Sequence, residues 1–453
     1  TLIAWLFLSL GLFLGGRWAY DVLGWGGYWG WDPVEIAAFM PWLTGTAFLH
    51  SVIIQEKHGM FKKWNMILII LTYALVIFGT FLTRSGVLSS VHAFAQSSIG
   101  PLFFIFITVT FTISLLLLFR GWESLSSSKT LTSWLSREGM FLLNNLLFMG
   151  ILVACFWGVI YPLISEIITG QKVTVGPPFY ERTTGPQFAA LLLLMGIVPL
   201  VAWRITTVNR IGHLIWKPTI ISLLVPITFM ISGTLNFAAL LSLWLASLVF
   251  CVTIYEFYRG AIARSKSSRN SFIISLWLLI SRNRRRYGGY IVHLGIVFMA
   301  VGIIGVEMFQ TETQGTLALE ERMSLEDYSL VYKDLTEYPE NDGRFVTKAT
   351  LDVYKNNKLI GELEPRRDYY NISQQRMTIP DVYSTLEGDL YVLLIDWKPV
   401  GPQQATFKIY LNPLINWIWI GGFLFILGTL VATWPDQRDR HIITNNKSIV
   451  QPF

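Results

Sequence analysis

Residues 25–35 read WGGYWGWDPVE and lie between two hydrophobic runs, residues 2–16 and 36–56. These eleven residues hold four large aromatic side chains, three glycines and two carboxylates. Glycine gives the backbone a freedom that favours neither helix nor strand, and Pro33 favours a helix that begins just after Asp32. The stretch therefore predicts an aromatic loop at a membrane surface, flanked by two membrane-spanning helices.

Two interpretations of this loop stay open on composition alone. Trp and Tyr gather at membrane–water interfaces as a belt of anchors. A belt places few aromatics at each helix end, whereas this loop holds four with glycines between them. Broad rings also offer stacking area to a flat, apolar ligand such as a porphyrin at low entropic cost. The second interpretation accounts better for the density of rings.

The composition indicates a polytopic membrane protein. Of the 453 residues, 53% are hydrophobic and 14% are charged, which is unlike a soluble core. Cys155 and Cys251 each lie inside a hydrophobic run, which excludes a disulfide framework or a Cys-x-x-Cys haem attachment site. Ten spans are predicted, at residues 2–16, 36–56, 65–82, 101–119, 141–161, 187–203, 217–232, 235–257, 288–307 and 412–434.

The distribution of Lys and Arg predicts how the chain crosses the membrane. One set of loops, with the C-terminal tail, carries 20 Lys or Arg, whereas the opposite short loops, residues 17–35, 83–100 and 162–186, carry 4. Cytoplasmic loops carry this excess. We expect the Trp-rich loop to face the periplasm or its equivalent and both termini to face the cytoplasm. Orientation then explains the formal charge of +6, and no nucleic-acid partner is expected.

Residues 308–411 form the one sizeable polar segment. ATLDVYKNNKLIGELEP, residues 349–365, alternates about Asn356-Asn357-Lys358 and predicts a β-hairpin. DLYVLLIDW and ATFKIYL predict further strands, in a domain that is either a structural cap or a docking surface for a partner. We predict an all-α polytopic membrane protein with a small extracytoplasmic β-domain before its last helix. The expected domains are a helix bundle with the Trp-rich loop (21–35) at 1–307, the periplasmic β-domain at 308–411, and the last helix with its tail at 412–453.

Two of the six histidines, His50 and His293, lie within predicted spans, where ionisable residues default to a functional hypothesis. His50 lies roughly 21 Å from the outer end of its span and His293 roughly 8 Å from the inner end. In a core about 30 Å thick these depths nearly coincide. The two imidazoles could therefore ligate one haem iron from both sides, or each could be hydrogen-bonded separately within the bundle. Four glycines would let a porphyrin approach the helices: Gly45, Gly288, Gly289 and Gly295. His58, His213 and His441 are interpreted as solvated.

The Trp-rich stretch resembles the WWD signature of the haem-handling proteins of cytochrome c biogenesis. The run WGWDPVEIAAFMPWLTGTAFLHS, followed by GTFLTRSGVLSSVHAFA, resembles the CcmF family, the membrane component of the cytochrome c haem lyase. VGPPFYERTTGPQ and GGYIVHLG extend the resemblance over nearly the whole chain. Tyr28 stands where the family usually carries Trp, a change that largely keeps the stacking area.

The resemblance implies a haem lyase that accepts haem from a CcmE-like chaperone and joins it through thioethers to the Cys-x-x-Cys-His segment of apocytochrome c. It implies a resident b-type haem held by His50 and His293, with a quinol as the electron donor. It also implies a multi-subunit complex with CcmH-like, thiol-handling subunits. The motifs FLHS and YIVHLG match the positions of the two membrane histidines.

The resemblance also implies a transient haem site on the periplasmic side. We expect Trp25, Tyr28, Trp29 and Trp31 to form the platform and His92 to be an axial ligand of the haem iron. Arg84 would meet a haem propionate or a lipid headgroup. Asp32 and Glu35 would pair with a cation or, as the preferred interpretation, cap the following helix. A second periplasmic histidine precedes the WWD loop in the family, but no His precedes Trp25 here, so we expect an N-terminally truncated chain or a ligand from elsewhere.

Two other function classes compete with the lyase. A haem transporter without attachment chemistry would also need membrane histidines and an outer aromatic site. A solute carrier with an aromatic gate would explain the Trp-rich loop but not the matched histidine depths. Exchange of haem between the inner and outer sites would favour the transporter.

Overall fold

The structure is a computed structural model that describes residues 1–24, 26–86, 99–127, 129, 131–203, 207–372, 374–397 and 404–435. Trp25 and His92 therefore lie outside the described residues. Among the described residues, ten helices are long and apolar enough to cross a membrane. The predicted class, a polytopic helical protein with a β-domain before the last helix, is confirmed.

Twelve α-helices are described. One span comprises both α7 and α8, and α10 is a shorter apolar helix. A 3₁₀ turn, Val198–Leu200, follows α6. The helices are α1 (Leu2–Val22), α2 (Pro33–His58), α3 (Lys62–Ser85), α4 (Gly100–Arg120), α5 (Arg137–Thr169), α6 (Pro177–Ile197), α7 (Val208–Ser222), α8 (Leu224–Ile231), α9 (Phe237–Ser268), α10 (Phe272–Arg282), α11 (Arg284–Phe309) and α12 (Asn416–Thr433).

Ten strands lie between α11 and α12. They form one sheet in the order β1-β10-β9-β8 and a second in the order β2-β3-β4-β6-β7, with β5 paired to β4. The strands are β1 (Thr311–Ala318), β2 (Arg322–Leu325), β3 (Tyr328–Pro339), β4 (Arg344–Lys355), β5 (Lys358–Leu363), β6 (Arg366–Tyr370), β7 (Gln375–Ile379), β8 (Asp381–Ser384), β9 (Gly388–Trp397) and β10 (Gln404–Pro413).

The chain divides into two compact units. The helix unit contains Thr1–Leu12, Trp31–Val297 and the chain from Leu424 onward. The β-unit contains Phe13–Gly30 and Phe298–Phe423. The sequence did not anticipate that Phe13–Gly30, with the first half of the Trp-rich loop, would belong to the same unit as the strands.

Helix α2 is central to the helix unit. It packs against α3 and α5, and α5 packs in turn against α6. Ile36, Met40 and Leu43 of α2 are fully buried, because the apolar positions of this helix have neighbours on several sides. Cys155 is buried in the same core, and both cysteines are free thiols inside helices, as predicted.

The predicted hairpin in the β-unit is confirmed. Strands β4 and β5 pair with Lys355 opposite Lys358, so the turn consists of Asn356 and Asn357. Both residues have positive φ, 52° and 63°. Two-residue turns of this kind match the right-handed twist of antiparallel strands, and Asn is among the few residues that tolerate them.

Strand β9 is buried on both faces. Leu390, Val392 and Leu394 lie in the core between the sheets. Tyr391 and Leu393 point the other way and join a second cluster with Tyr20. This explains why residues 389–397 read as an almost continuous hydrophobic run rather than as an alternating strand.

Candidate functional site

His50 and His293 both belong to the helix unit, on α2 and α11. The two side chains are close enough to interact electrostatically. An ion pair joins the end of α2 to the start of α11, since Glu56 of α2 lies 3.6 Å from Arg285 of α11. This ion pair gives a common reference point for the depth of the two histidines. Counted from that ion pair, His50 lies about 9 Å and His293 about 12 Å along the helix axes. The depth match expected from the sequence therefore follows from a contact between the two helices.

The tautomer of His50 is fixed by its own helix. Its Nδ1 lies 2.8 Å from the carbonyl oxygen of Thr46. A carbonyl can only accept, so Nδ1 carries the proton and Nε2 keeps a lone pair. The rings of Phe141 and Phe148 lie 5.8 and 6.2 Å from the imidazole. Metal-ligating histidines commonly donate their second ring nitrogen to a backbone carbonyl in this way.

His293 carries an orphaned polar atom. Its Nδ1 is buried and has no hydrogen-bond partner in the described part of the chain. A buried polar nitrogen without a partner costs free energy unless a ligand satisfies that same nitrogen, for example a metal ion bound there. The residues present therefore fit a porphyrin iron, which requires only axial ligands from the protein. No cluster of three or more His, Cys, Asp or Glu suited to a bare metal ion occurs among the described residues.

Three of the four glycines expected to make room for a porphyrin have different surroundings. The Cβ position of Gly288 would lie 2.6 Å from the backbone nitrogen of Ala432, so this glycine serves the packing of α11 against α12. The Cβ position of Gly45 would meet the Trp5 ring at 3.4 Å. Beside Gly289 no atom lies within 4 Å. Of these three glycines, only Gly289 therefore leaves open space on α11.

The first half of the Trp-rich loop is held by strands of the β-unit. The carbonyl of Gly26 accepts hydrogen bonds from Asn412 and Gln310, each at 3.0 Å. Gly26 has φ 79°, and a Cβ there would lie 2.6 Å from the ring of Tyr410, so only glycine fits. Tyr28 is partly buried against the cluster that contains Tyr20. This half of the loop is thus built into its unit.

A buried polar network fixes the end of α1 beneath this half of the loop. Asp389 accepts hydrogen bonds from Tyr20 (3.0 Å), Ser384 (2.6 Å) and Asn416 (2.7 Å). Burial raises the pKa of the Asp389 carboxyl, although the three donors act in the opposite direction. Tyr391 adds a hydrogen bond to the Tyr20 carbonyl at 3.0 Å.

The second half of the loop belongs to the helix unit, where Trp31 stacks on Tyr180. The ring centroids are 4.9 Å apart and the planes differ by 5°. Trp31 has φ 52°, a left-handed conformation that is uncommon for a large residue. Tyr180 is buried at the start of α6, and a Cβ at Gly158 of α5 would collide with its hydroxyl. Gly158 therefore makes room for the ring that supports Trp31.

Asp32 and Glu35 cap helix α2, as the preferred interpretation predicted. Asp32 Oδ2 accepts from the Val34 amide at 2.9 Å, and Glu35 Oε2 accepts from the Asp32 amide at 3.1 Å. Together with Pro33 in the first turn, this is a complete capping box. The capping box therefore fixes the start of α2 directly after Trp31, the last aromatic residue of the Trp-rich loop.

The remaining candidate residues are divided between the two units or lie outside the described residues. Tyr28 and Trp29 lie in the β-unit and Trp31 in the helix unit, while Trp25 and His92 are not described. Arg84 is exposed in the last turn of α3. His213 is exposed, as expected, and His441 is not described.

The expectation for His58 was wrong. It is largely buried, its Nε2 lies 3.5 Å from Glu138 Oε1, and its ring lies 5.3 Å from that of Trp203. The side chain of His58 lies against the start of α5 and is 18% exposed. Sequence reasoning also missed Tyr180, Asn412 and Gln310. Tyr180 lies in a motif that carried the family resemblance, which was the only signal for it.

Comparisons with known proteins agree with the fold and with the resemblance. The family described as Cytochrome C assembly protein matches residues 1–89, and the one described as CcmF C-terminal beta-sandwich matches residues 308–413. The Cytochrome c-type biogenesis protein CcmF of Haemophilus influenzae is 33% identical over 447 residues, 97% of this chain and 66% of the relative. That of Escherichia coli is 31% identical over 452 residues, 99% of this chain and 67% of the relative.

A solved structure, Cytochrome c Heme Lyase CcmF, matches with a TM-score of 0.75 and 29% identity, over 96% of this chain and 65% of that chain. The present chain thus spans about two thirds of the length of the relatives it matches.

Proposed function

Because this chain belongs to the CcmF family of cytochrome c-type biogenesis proteins, we propose that it acts as the haem lyase component of cytochrome c maturation. The observation that carries the proposal is the pairing of His50 and His293 at one depth of one helical unit. A lyase needs a reduced haem iron, and a pair of membrane histidines suits a resident electron relay.

The inner site is proposed to hold a b-type haem through both histidines. When bound, this group supplies a one-electron redox centre whose potential depends on its axial ligands and burial. Thr46 keeps the His50 proton on Nδ1, so that Nε2 is directed to the ligand role. The rings of Phe141 and Phe148 line the His50 side. The open space at Gly289 gives the ring room on α11.

The outer site is proposed to hold the substrate haem transiently. Trp25, Tyr28, Trp29 and Trp31 would present ring faces to it, and His92 would bind its iron. Asp32 would act through the helix cap, and Arg84 would meet a propionate. Their task is to orient the vinyl edge toward the incoming peptide, because positioning alone can supply several kcal/mol of a barrier.

The attachment step adds each Cys thiol of apocytochrome c across one haem vinyl group. An S–H bond and a vinyl π bond are consumed, and one C–S and one C–H bond form, so the addition is redox-neutral. The electron that keeps the iron reduced has to come from elsewhere, and we propose a quinol in the bilayer as its source.

The same proposal covers partners and placement. A CcmE-like chaperone would deliver the haem, and CcmH-like subunits would present the reduced thiols. The Trp-rich loop and the β-unit would face the periplasm of a bacterium, with the cationic loops in the cytoplasm. The β-unit either caps the bundle or docks these partners.

An absorption spectrum of the purified protein tests the inner site. We expect a reduced-minus-oxidised spectrum typical of low-spin bis-imidazole haem, lost in His50→Ala and in His293→Ala. His213→Ala is the matched control, because His213 is exposed on α7. Wild-type protein without haem, or single variants that keep the spectrum, would refute the relay. Rapid exchange of this haem with the outer site would favour the transporter instead.

A further inference from the structure

The faces of α2 and α11 that carry the two histidines also carry cations. Lys57 follows His50 by seven residues, and Arg286 precedes His293 by seven residues. Seven residues are close to two helical turns, so each cation lies on the same face as its histidine, about 10 Å along the axis. Both lie toward the same end of the helices, and Lys57 and Arg286 are close enough for their charges to repel each other.

A row of rings connects His50 with these cations. The Phe141 ring lies 5.8 Å from His50 and 6.4 Å from Trp203. Lys57 Nζ lies 4.5 Å and the Arg137 guanidinium 5.1 Å from the Trp203 ring. The aromatic wall therefore runs without a break from the imidazole to two positive charges.

Hydrogen bonds to other protein groups hold the side chains of Arg137 and Arg286 in place. Arg137 donates to the carbonyls of Val201 at 3.0 Å and Pro199 at 3.2 Å. Arg286 donates to Glu256 at 2.9 Å and to the Tyr290 hydroxyl at 3.3 Å. Tyr290 lies one turn from His293 on α11. Side chains held in this way lose little entropy when they bind a ligand.

Positive charge is in excess at this place. Lys57, Arg137 and Arg286 repel one another, and only some of this charge is balanced by carboxylates. Glu256 is shared between Arg286 and Arg259, Glu138 lies beside His58, and Glu56 pairs with Arg285. Among the described residues, the cluster therefore holds five cations and three carboxylates: Lys57, Arg137, Arg259, Arg285 and Arg286 against Glu56, Glu138 and Glu256.

We propose that Lys57, Arg137 and Arg286 bind the two propionate carboxylates of the haem ligated by His50 and His293. The inference rests on the proposed function and adds the orientation of the ring. Propionates extend from one edge of a porphyrin, and the two excess positive charges match their two negative charges. Charge-assisted hydrogen bonds from Arg and Lys are the strong contacts that carboxylates form. The porphyrin then stands with its propionate edge toward Trp203.

A comparison of haem with its dimethyl ester tests the proposal, since the ester keeps the ring and the iron but lacks the two charges. Protein purified without haem is titrated with each compound and followed by absorbance. We expect wild type to bind haem at least ten-fold more tightly than the ester. Lys57→Gln lowers the affinity for haem about ten-fold and leaves that for the ester unchanged, as expected for one lost charged contact.

Lys57 is the residue to change because Arg137 and Arg286 also bind protein groups whose loss would disturb packing. Arg285→Gln is the matched control, since Arg285 neighbours Arg286 but pairs with Glu56. If wild type binds haem and the ester with equal affinity and shows a bis-imidazole spectrum, the proposed binding of the propionates is wrong, whereas the proposed haem relay remains. Equal weakening of both ligands by Lys57→Gln would also overturn the proposed binding of the propionates.

Two further outcomes would overturn the proposal. If wild type shows no preference for haem over the ester but Lys57→Gln loses a co-purifying anionic phospholipid, the cluster binds a lipid phosphate instead. If wild type binds neither compound, both the proposed haem relay and the proposed propionate contacts are wrong.

Discussion

The candidate residues depend on neighbours that are distant in sequence. Trp31 adopts a left-handed backbone conformation, and the parallel stack on Tyr180 offsets part of its cost. Stacked aromatic pairs contribute about 0.5–1.5 kcal/mol beyond the burial of their area. The orientation of this ring in the Trp-rich loop is therefore controlled by a residue about 150 positions away.

We expect Tyr180→Ala to loosen the start of α2, because Trp31 loses the ring that supports it. A loss of about 1 kcal/mol corresponds to roughly five-fold faster local opening. Hydrogen–deuterium exchange of the peptide covering residues 31–36 measures this change. Tyr180→Phe keeps the ring and should exchange like wild type. If Phe behaved like Ala, the hydroxyl and not the stack would be responsible.

At the scale of elements, helix α2 connects the features on which both proposals depend. It begins at the capping box of the Trp-rich loop, carries His50 near its middle and ends with Lys57 and His58. Its end is also defined, since the Gly59 amide donates to the Gln55 carbonyl at 2.9 Å and Gly59 has φ 69°. Both ends of the helix are thus fixed, which sets the positions of residues along it.

A pair of substitutions at Asp32 separates a capping role from a contact with haem. Asp32→Ala removes the cap and should cost about 1 kcal/mol, because the Val34 amide loses its acceptor. Asp32→Asn caps nearly as well but carries no charge. We expect a lower thermal midpoint only for the Ala variant.

Haem transfer to apocytochrome c should then be normal in Asp32→Asn and reduced in Asp32→Ala to the extent that the helix start is disturbed. Equal loss of transfer in both variants, with the Asn variant fully stable, would show that the charge itself takes part.

At the scale of the whole molecule, the orientation predicted from Lys and Arg can be measured directly. Ser126→Cys lies in the loop between α4 and α5, and Thr174→Cys lies in the loop between α5 and α6. A membrane-impermeant maleimide should label Thr174→Cys in intact cells and Ser126→Cys only after permeabilisation. The native cysteines lie inside helices, and their labelling in the parent protein gives the background signal. The reverse pattern would place the Trp-rich loop in the cytoplasm.

The sequence by itself determined the features that depend on near neighbours in the chain. Hydrophobic runs predicted ten spans, Asn356-Asn357-Lys358 predicted a hairpin, and Asp32-Pro33 predicted the start of α2. Each depends on periodicity, turn geometry or capping within a few residues. Helix rise and membrane thickness also predicted nearly coincident depths for His50 and His293.

Only the tertiary structure decided which distant residues meet. It joined Phe13–Gly30 to the strands, used Gly288 for packing against α12, stacked Tyr180 on Trp31 and gathered Lys57, Arg137 and Arg286 around one end of the helix unit. Such contacts leave no local pattern, because they link positions tens to hundreds of residues apart. They are selected by packing and charge once the helices and strands have formed.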